Sequence, residues 1–243
     1  MDAPERPRGR LPTGRAGLPT DRVDAARSPG PRLPARERRR QLLDVALEVF
    51  ATNGFHVTSM DDIAEAAGVT KPVLYQHFRS KRALYLELLD DVGARLMEAI
   101  TKATATAAGP RQQVEAGFAA YFRFVAVHEN AFRLLFGSLA RRDEEFSAAV
   151  RRVEDSIAGA VADRIDADID TAHRKLLAYA VVGMAEGASG HVVTRRSLAA
   201  RDDGDGATGA DRGAGEEIDI DPDELAHRIA ELAWAGLRGV RSS

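Results

Sequence analysis

The sequence predicts an all-α fold, with a small N-terminal unit of three helices followed by a larger helical domain. Three observations predict this class: apolar residues recur at helical spacing through most of the chain, two short helical segments flank Gly68, and the last segment is apolar over an unusually wide arc. At 243 residues the chain is long enough for one medium domain and a smaller one.

Composition excludes several classes of function. The chain has no cysteine, which rules out disulfides, thiolate metal sites and cysteine nucleophiles. A net charge of -3 and a pI near 6.1 do not suit a protein that binds nucleic acid by its overall charge. Any such binding must use a local basic surface. Candidates for that surface are the run from Arg36 to Arg40 and the group Lys71, Arg79, Lys81 and Arg82.

Residues 1–34 are predicted to form a disordered basic arm. They contain seven prolines and seven arginines and almost no large apolar residue, so they have little apolar surface to bury. The arm either adds phosphate contacts or is an inert leader. It has no apolar segment typical of a secretory signal, and the most apolar stretch, Leu176 to Ala185, is interrupted by Glu186 and glycines. We therefore expect a cytoplasmic protein with no membrane partner.

A helix-turn-helix is predicted around Gly68. Ser59 caps the first helix, with Asp62 three residues later in a capping-box arrangement. Gly68 ends that helix, because glycine adopts positive φ without strain. Thr70 is predicted to cap the second helix, and Pro72 fits its first turn, where N–H groups have no intrahelical partner.

The second of these helices has a core side and an exposed side at 100° per residue. Leu74 and Phe78 share the core side, and Pro72, Val73 and Gln76 fall on the opposite one. This arrangement is typical of a helix that lies in the major groove of DNA. Gln76 can pair with adenine N6 and N7, and Pro72 and Val73 offer apolar contact to a thymine methyl.

Polar residues around the same helix are placed for further DNA contacts. Lys71 and Thr70 lie at its N-terminus, where recognition helices meet bases and phosphates, and Lys71 is expected to read a base. Tyr75, His77 and Lys81 are placed to hold phosphates, which fix register without reading sequence. The alternative is a helical hairpin of a larger helical protein, in which Tyr75 and His77 are ordinary half-buried residues.

The other helices follow from caps, breaks and periodicity. Their predicted ranges are Arg36–Asn53, Ser80 as cap of a helix to about Thr104, Arg111–Val127, Asn130 as cap of a helix to about Leu139, Glu144–Ile165, Ala172–Thr194, and a last helix capped by Asp221. The inward positions of the first are Leu43, Ala46, Leu47 and Phe50. Residues 199–219, acidic and glycine-rich, are predicted to be a flexible loop.

The last helix predicts a homodimer. Its polar residues crowd into an arc of about 100°, which leaves an apolar surface roughly twice as wide as one monomer needs. The preceding helix has small residues, such as Gly183 and Gly187, that permit close helix approach. A four-helix bundle across a twofold axis fits both features. The alternative is a helix buried inside one chain.

A concentration of aromatic residues lies between Phe118 and Phe146, at spacings that share helix faces. Sequence does not separate a filled core from a pocket here, and core packing is the ordinary use of such a stripe. The candidate ligand-binding residues are Phe118, Phe122, Phe132, Phe136 and Met184. We find no motif for catalysis, a phosphate-binding loop or a metal, so the sequence predicts no enzyme, no cofactor and no metal site.

The N-terminal motifs resemble the DNA-binding signature of TetR-type regulators across Arg36 to Leu84. The matching residues are Gly54-Phe55, Thr58-Ser59-Met60, Ile63-Ala64, Ala67-Gly68-Val69 and Leu74-Tyr75-Gln76-His77-Phe78. The resemblance implies a homodimer with a DNA-binding domain at 35–80 and a ligand-binding and dimerisation domain at 81–243. By position it also implies DNA contacts at Thr58, Ser59, Thr70, Lys71, Pro72, Val73, Tyr75, Gln76, His77 and Lys81.

Further short motifs resemble TetR-type regulators of fatty-acid synthesis that sense long-chain acyl-CoA. They are Arg32-Leu33-Pro34, Lys71-Pro72-Val73, Phe132-Arg133-Leu134-Leu135-Phe136, Val182-Gly183-Met184 and Ala233-Trp234-Ala235-Gly236-Leu237. The sequence therefore predicts a regulator that binds a double-stranded DNA operator and a long-chain acyl-CoA. The alternatives are a TetR-type repressor of an efflux or catabolic operon that senses another apolar small molecule, and a helical enzyme or interaction module.

Overall fold

Every regular element that the computed structural model describes, in residues 34–165, 167–202 and 220–240, is an α-helix. The helices are α1 (Ala35–Asn53), α2 (Met60–Ala66), α3 (Lys71–His77), α4 (Lys81–Thr104), α5 (Pro110–Val127), α6 (Glu129–Phe136), α7 (Ser138–Arg142), α8 (Glu144–Ala162), α9 (Thr171–Asp202) and α10 (Pro222–Arg238). The predicted all-α class is confirmed.

The first hydrophobic core lies among α1 to α4 and also receives side chains from α6, α7 and α8. The buried residues of α1 are Leu42, Leu43, Ala46, Leu47 and Phe50, which confirms the predicted inward face. Phe146 of α8 is fully buried in this core, where its ring lies 5.3 Å from the ring of Phe55 and 4.6 Å from that of Tyr85. The start of α8 is thus packed against the helix-turn-helix.

The second core lies among the C-terminal half of α4 and helices α5, α6, α8, α9 and α10. Helix α5 packs between α4 and α10, and α8 packs between α4 and α9. Ser80 Oγ accepts a hydrogen bond from Ala83 N at 3.1 Å, and Asp221 accepts one from Asp223 N at 2.7 Å. Both predicted caps are therefore confirmed.

Helix α4 connects the two cores. It has 24 residues and so extends about 36 Å. At Gly93 it crosses α8 so closely that an added Cβ would lie 2.4 Å from Cγ2 of Val153. Only glycine fits this crossing, because any Cβ would overlap the valine.

The helix predicted from Asn130 to about Leu139 is divided in the structure. Asn130 is not its cap: the helix begins at Glu129, with His128 at the N-cap position, and Gly137 separates α6 from α7 with an extended backbone, ψ 167°. A Cβ on Gly137 would lie 2.3 Å from the carbonyl oxygen of Arg133, so the break requires glycine.

Two other predicted boundaries were wrong. Helix α8 ends at Ala162 rather than Ile165, and α9 continues past Thr194 to Asp202. Residues 199–202 of the predicted loop are therefore helical, since Ala and Arg favour helix there. The remainder of that loop and nearly all of the predicted basic arm lie outside the described residues, and the domain boundary near residue 80 stays a prediction.

Candidate nucleic-acid interface and effector cavity

The turn between α2 and α3 is fixed by short-range interactions. The Ser59 N–H donates to Asp62 Oδ2 at 2.8 Å, and the Asp62 N–H donates to Ser59 Oγ at 3.1 Å. Both bonds lower the pKa of Asp62, and the bond from the Ser59 backbone N–H has the larger effect. Gly68 follows α2 with φ 63°. The predicted capping box and positive φ are confirmed, and they set the direction in which α3 leaves the turn.

Helix α3 has the predicted core and exposed sides. Leu74 and Phe78 are 0% and 1% exposed. Pro72, Tyr75 and Gln76 are exposed, and Val73 and His77 are half-buried. Because the helix is anchored only through its core side, the opposite side is available to a DNA groove.

Arg39 of α1 holds the end of α3, a role that sequence reasoning missed. Its Nη1 donates to the carbonyl oxygen of His77 at 2.7 Å, and its guanidinium lies 4.5 Å above the ring of Phe78. It also forms an ion pair with Glu87 of α4. A cation at a helix C-terminus satisfies free carbonyls and the helix dipole. Arg39 therefore joins α1, α3 and α4, and only its place in a basic run marked it in the sequence.

A cavity of about 320 Å³ lies in the second core, at the low end of the range of ligand pockets. Its walls come from α4, α5, α8, α9 and α10 and from residues that follow α8 and α10. The main apolar lining residues are Met97, Ile100, Val114, Phe118, Ile157 and Trp234. A partly open, mostly apolar space in a helical domain is suited to a hydrophobic ligand.

The cavity has an outer and an inner end. The outer end is formed by Thr104 near the end of α4, Pro110 at the start of α5, and Arg164 and Arg238, both exposed. The inner end, on the side of the first core, includes Tyr121, which is 4% exposed. Charge is thus present at the outer end only, among the lining side chains.

Helices α9 and α10 leave an apolar surface uncovered in one protomer. Leu176 and Tyr179 of α9 are 67% and 44% exposed, and Leu232 of α10 is 63% exposed. Gly183 and Gly187 of α9 lie on the same exposed side. This surface has the composition of a helix–helix interface.

The segment Thr171–Arg196 of α9 is long and apolar enough to cross a membrane by length and composition, with 33% of its most apolar window buried. Such a helix is weak evidence of a membrane, because core and interface helices have the same composition.

Comparison with known proteins agrees with this geometry. Residues 42–88 match the model of bacterial regulatory proteins of the tetR family. The HTH-type transcriptional activator FasR of Mycolicibacterium smegmatis is 33% identical over 213 residues, which cover 87% of this chain and 88% of FasR. The chain belongs to the TetR family.

Solved structures of TetR-type proteins share the fold. A TetR-like regulator from Rhodococcus sp. RHA1 is 30% identical, with a TM-score of 0.61 over 86% of this chain and 100% of its own. The fatty acid degradation regulator FadR from Bacillus halodurans has a TM-score of 0.63 at 18% identity, over 86% of this chain and 99% of its own. This TetR protein is therefore a DNA-binding transcriptional regulator, and the predicted resemblance to TetR-type regulators is confirmed.

Two of the predicted DNA contacts are contradicted by the structure. Thr58 is 1% exposed, and its hydroxyl donates to Gly54 O at 2.8 Å. The Lys81 ammonium donates to the carbonyl oxygens of Phe55, Thr58 and His56 at 2.7, 2.7 and 3.3 Å. All three N–H groups of Lys81 are used. Both side chains hold the turn before α2 in this TetR protein and are not free for phosphates.

The other eight predicted DNA contacts stay predictions, with changes of detail for two. Thr70 occupies the N-cap position of α3, but its side chain makes no capping hydrogen bond, so that cap was wrong. Lys71 Nζ donates to Asp61 Oδ2 at 2.8 Å, which raises the pKa of Lys71. Both partners are more than half exposed, so this pair adds little stability and Lys71 can exchange it for DNA.

Of the five predicted ligand contacts in this TetR protein, only Phe118 lines the cavity. Phe122 and Phe132 are buried in the second core, and Phe136 and Met184 pack against it. The rings of Phe132 and Phe136 lie 4.9 Å apart, so they fill space between helices. The sequence missed the lining residues of α8 and α10, whose only signal was an apolar face on each helix. Among the described residues, no group of three or more side chains suits a metal ion.

Proposed function

We propose that the chain is a cytoplasmic, homodimeric regulator of fatty-acid or lipid metabolism genes that responds to a long-chain acyl-CoA. The resemblance to TetR-type regulators of fatty-acid synthesis supports the class of genes. The similarity to FasR and the FadR-like fold agree with it. The observation that carries the effector proposal is the cavity, with an apolar interior and arginines at its outer end.

The cavity suits an amphiphile that enters tail first. Apolar side chains surround the interior, where burial of methylene groups stabilises binding by about 0.8 kcal/mol each. Arg164 and Arg238 at the outer end offer guanidinium groups to an anionic head group. A fatty acyl chain joined to a phosphate-bearing carrier has both features, and the carrier stays outside.

The length of the cavity limits the acyl chain. Its wall on α5 runs from Pro110 to Tyr121, which is about 17 Å at the α-helical rise. An extended alkyl chain advances about 1.25 Å per carbon, given a C–C bond of about 1.5 Å and a near-tetrahedral angle. About 13 carbons therefore fill the cavity, and longer chains leave their first carbons in the outer opening.

Helices α4 and α8 connect the cavity to the DNA-binding end. Arg82 at the start of α4 binds both carboxylate oxygens of Asp143, at 2.9 and 2.7 Å, and Asp143 caps α8. The other ends of both helices line the cavity. An effector that favours one spacing of these helices changes the separation of the two recognition helices in the dimer, which must match half-sites about 34–36 Å apart. A tenfold change in DNA affinity requires about 1.4 kcal/mol of such coupling.

Trp234, the one tryptophan of the chain, lines the cavity and provides a direct assay. Acyl-CoAs of increasing chain length are titrated against the protein while its tryptophan fluorescence is followed. Affinity should rise with length and level off near 13 carbons. The same series is added to footprints on the DNA upstream of the protein's own gene, where the saturating chain lengths should change protection.

Arginine variants test the head-group contact. Arg164→Ala and Arg238→Ala should each weaken acyl-CoA binding and reduce its salt dependence, because each removes a charge at the opening. Arg151→Ala, an exposed arginine elsewhere on α8, serves as the matched control and should leave both unchanged. Normal footprints with no response to any acyl-CoA would reject the acyl effector. That result would favour the second candidate, a regulator that senses another apolar molecule, for which the apolar cavity itself is the supporting observation.

A further inference from the structure

The inner end of the cavity is polar, unlike its middle. Tyr121 lines this end, and its hydroxyl is buried without a hydrogen bond of normal geometry to a described residue. Ser189, 1% exposed, lies one helical turn beyond the cavity-lining Ala185, and its hydroxyl is also unpaired in the described part of the chain. Burial and the nearby Glu186 charge raise the pKa of Tyr121, and a side-chain hydrogen bond with Ser189, outside normal hydrogen-bond geometry, lowers it. The two hydroxyls are thus neighbours.

Unpaired hydroxyls at the end of an apolar cavity disfavour a plain hydrocarbon terminus. A buried polar group without a partner is costly, and a methyl group placed against it leaves that cost in place. A ligand oxygen at the same point would accept from or donate to both hydroxyls, since each can do either.

The charge of the surroundings selects the kind of oxygen. Glu186 on α9 and Glu154 on α8 lie near Tyr121, and both carboxylates raise its pKa. A ligand carboxylate would be buried there beside these two carboxyl groups, and both burial and like charge disfavour it, so a neutral hydroxyl or keto oxygen fits better.

We propose that the effector is an acyl chain with a neutral oxygen, a hydroxyl or keto group, near its far end, bound by Tyr121 and Ser189. The inference rests on the proposed acyl effector and adds a specificity-determining site to it. The matching chain has about 12 carbons, since its terminal oxygen then reaches Tyr121 from the outer opening.

The test compares dodecanoyl-CoA with 12-hydroxydodecanoyl-CoA in binding to the full chain, followed by Trp234 fluorescence. The wild type should prefer the hydroxylated chain. Tyr121→Phe removes only the hydroxyl and should lower that preference about 2- to 10-fold, and Ser189→Ala should lower it as well. Tyr85→Phe is the matched control, because Tyr85 is equally buried but lies in the first core.

A second measurement needs no ligand. Tyr121→Phe should melt at or above the wild-type temperature, because it deletes a buried hydroxyl that has no hydrogen bond of normal geometry. Tyr85→Phe should melt lower, because the Tyr85 hydroxyl contacts Leu134 O at 3.5 Å. Clear destabilisation by Tyr121→Phe, or equal preference in the wild type and both cavity variants, overturns the proposed site while leaving the acyl effector standing. Failure of both CoA esters to bind overturns the acyl effector and this site with it.

Discussion

The crossing of α4 and α8 should be the most sensitive packing point between the cavity and the DNA-binding end. Gly93→Ala places a Cβ 2.4 Å from Cγ2 and 2.8 Å from Cγ1 of Val153, about 1 Å short of ordinary contact. Val153 is 9% exposed and β-branched, so it has few other rotamers on its helix. Alanine gains about 0.5–1 kcal/mol over glycine in a helix, and overpacking costs about 1–3 kcal/mol. We expect a net loss of about 1–2 kcal/mol.

A double-mutant cycle isolates this contact. Val153→Ala removes the two methyl groups that Gly93→Ala meets, and alone it should cost about 1.5–3 kcal/mol by lost burial and a cavity. The combined variant should be about 1–3 kcal/mol more stable than the sum of the single effects predicts. Urea unfolding at one fixed protein concentration measures all four proteins, since the stability of a dimer depends on concentration.

Gly159→Ala on α8 is the control for helix propensity, because nothing lies within 4 Å of the added Cβ. It should stabilise the protein by about 0.5–1 kcal/mol. If Gly93→Ala stabilises equally, or if its effect adds to that of Val153→Ala, the proposed close crossing does not exist.

Four further outcomes are expected. Gln76→Ala should cost about 1–3 kcal/mol of operator affinity and relax preference at one base pair, and an unchanged profile across operator variants would show that Gln76 reads no base. Lys81→Ala should lower the melting temperature but keep the salt dependence of DNA binding, because the Lys81 ammonium donates to three backbone carbonyl oxygens. A weaker salt dependence in this variant would show that Lys81 contacts a phosphate. Leu232→Glu should give a monomer in sedimentation, because it places an unpaired charge on the exposed apolar surface of α9 and α10, where we expect the dimer interface. A monomeric wild type would contradict that interface. Burial and the charge of Glu154 raise the pKa of Glu186 to about 7, so the folded state loses stability as pH rises from about 4.5 through 7. Glu186→Gln should therefore melt higher than the wild type at pH 8 but not at pH 4.5, and an equal gain from the exposed Glu98→Gln would refute this.

The helix-turn-helix was predictable because its determinants are local. Capping by Ser59, positive φ at Gly68 and burial of Leu74 all depend on residues within a few positions of one another. The errors in predicting its DNA contacts came from interactions between residues that are far apart in the sequence. Thr58 is buried, and the Lys81 ammonium donates to carbonyl oxygens of the turn before α2, including that of Thr58, 23 positions away. Neither side chain is therefore free for DNA.

The cavity was not predictable from the aromatic stripe. Phe122, Phe132 and Phe136 have the same helical spacing as Phe118, yet they pack between helices while Phe118 faces the cavity. Periodicity identifies a buried face but not whether the space beyond it is filled.

Sequence by itself therefore determined the all-helical class, the helix-turn-helix and the unusually wide apolar surface of α10, since propensity, caps and periodicity act over one or two turns. Tertiary structure alone decided the lining of the cavity, the crossing at Gly93 and the anchoring of α3 by Arg39. Each of these depends on which helix faces meet after the chain has folded, across separations of 38 residues for Arg39 and His77 and 100 residues for Arg123 of α5 and Asp223 of α10.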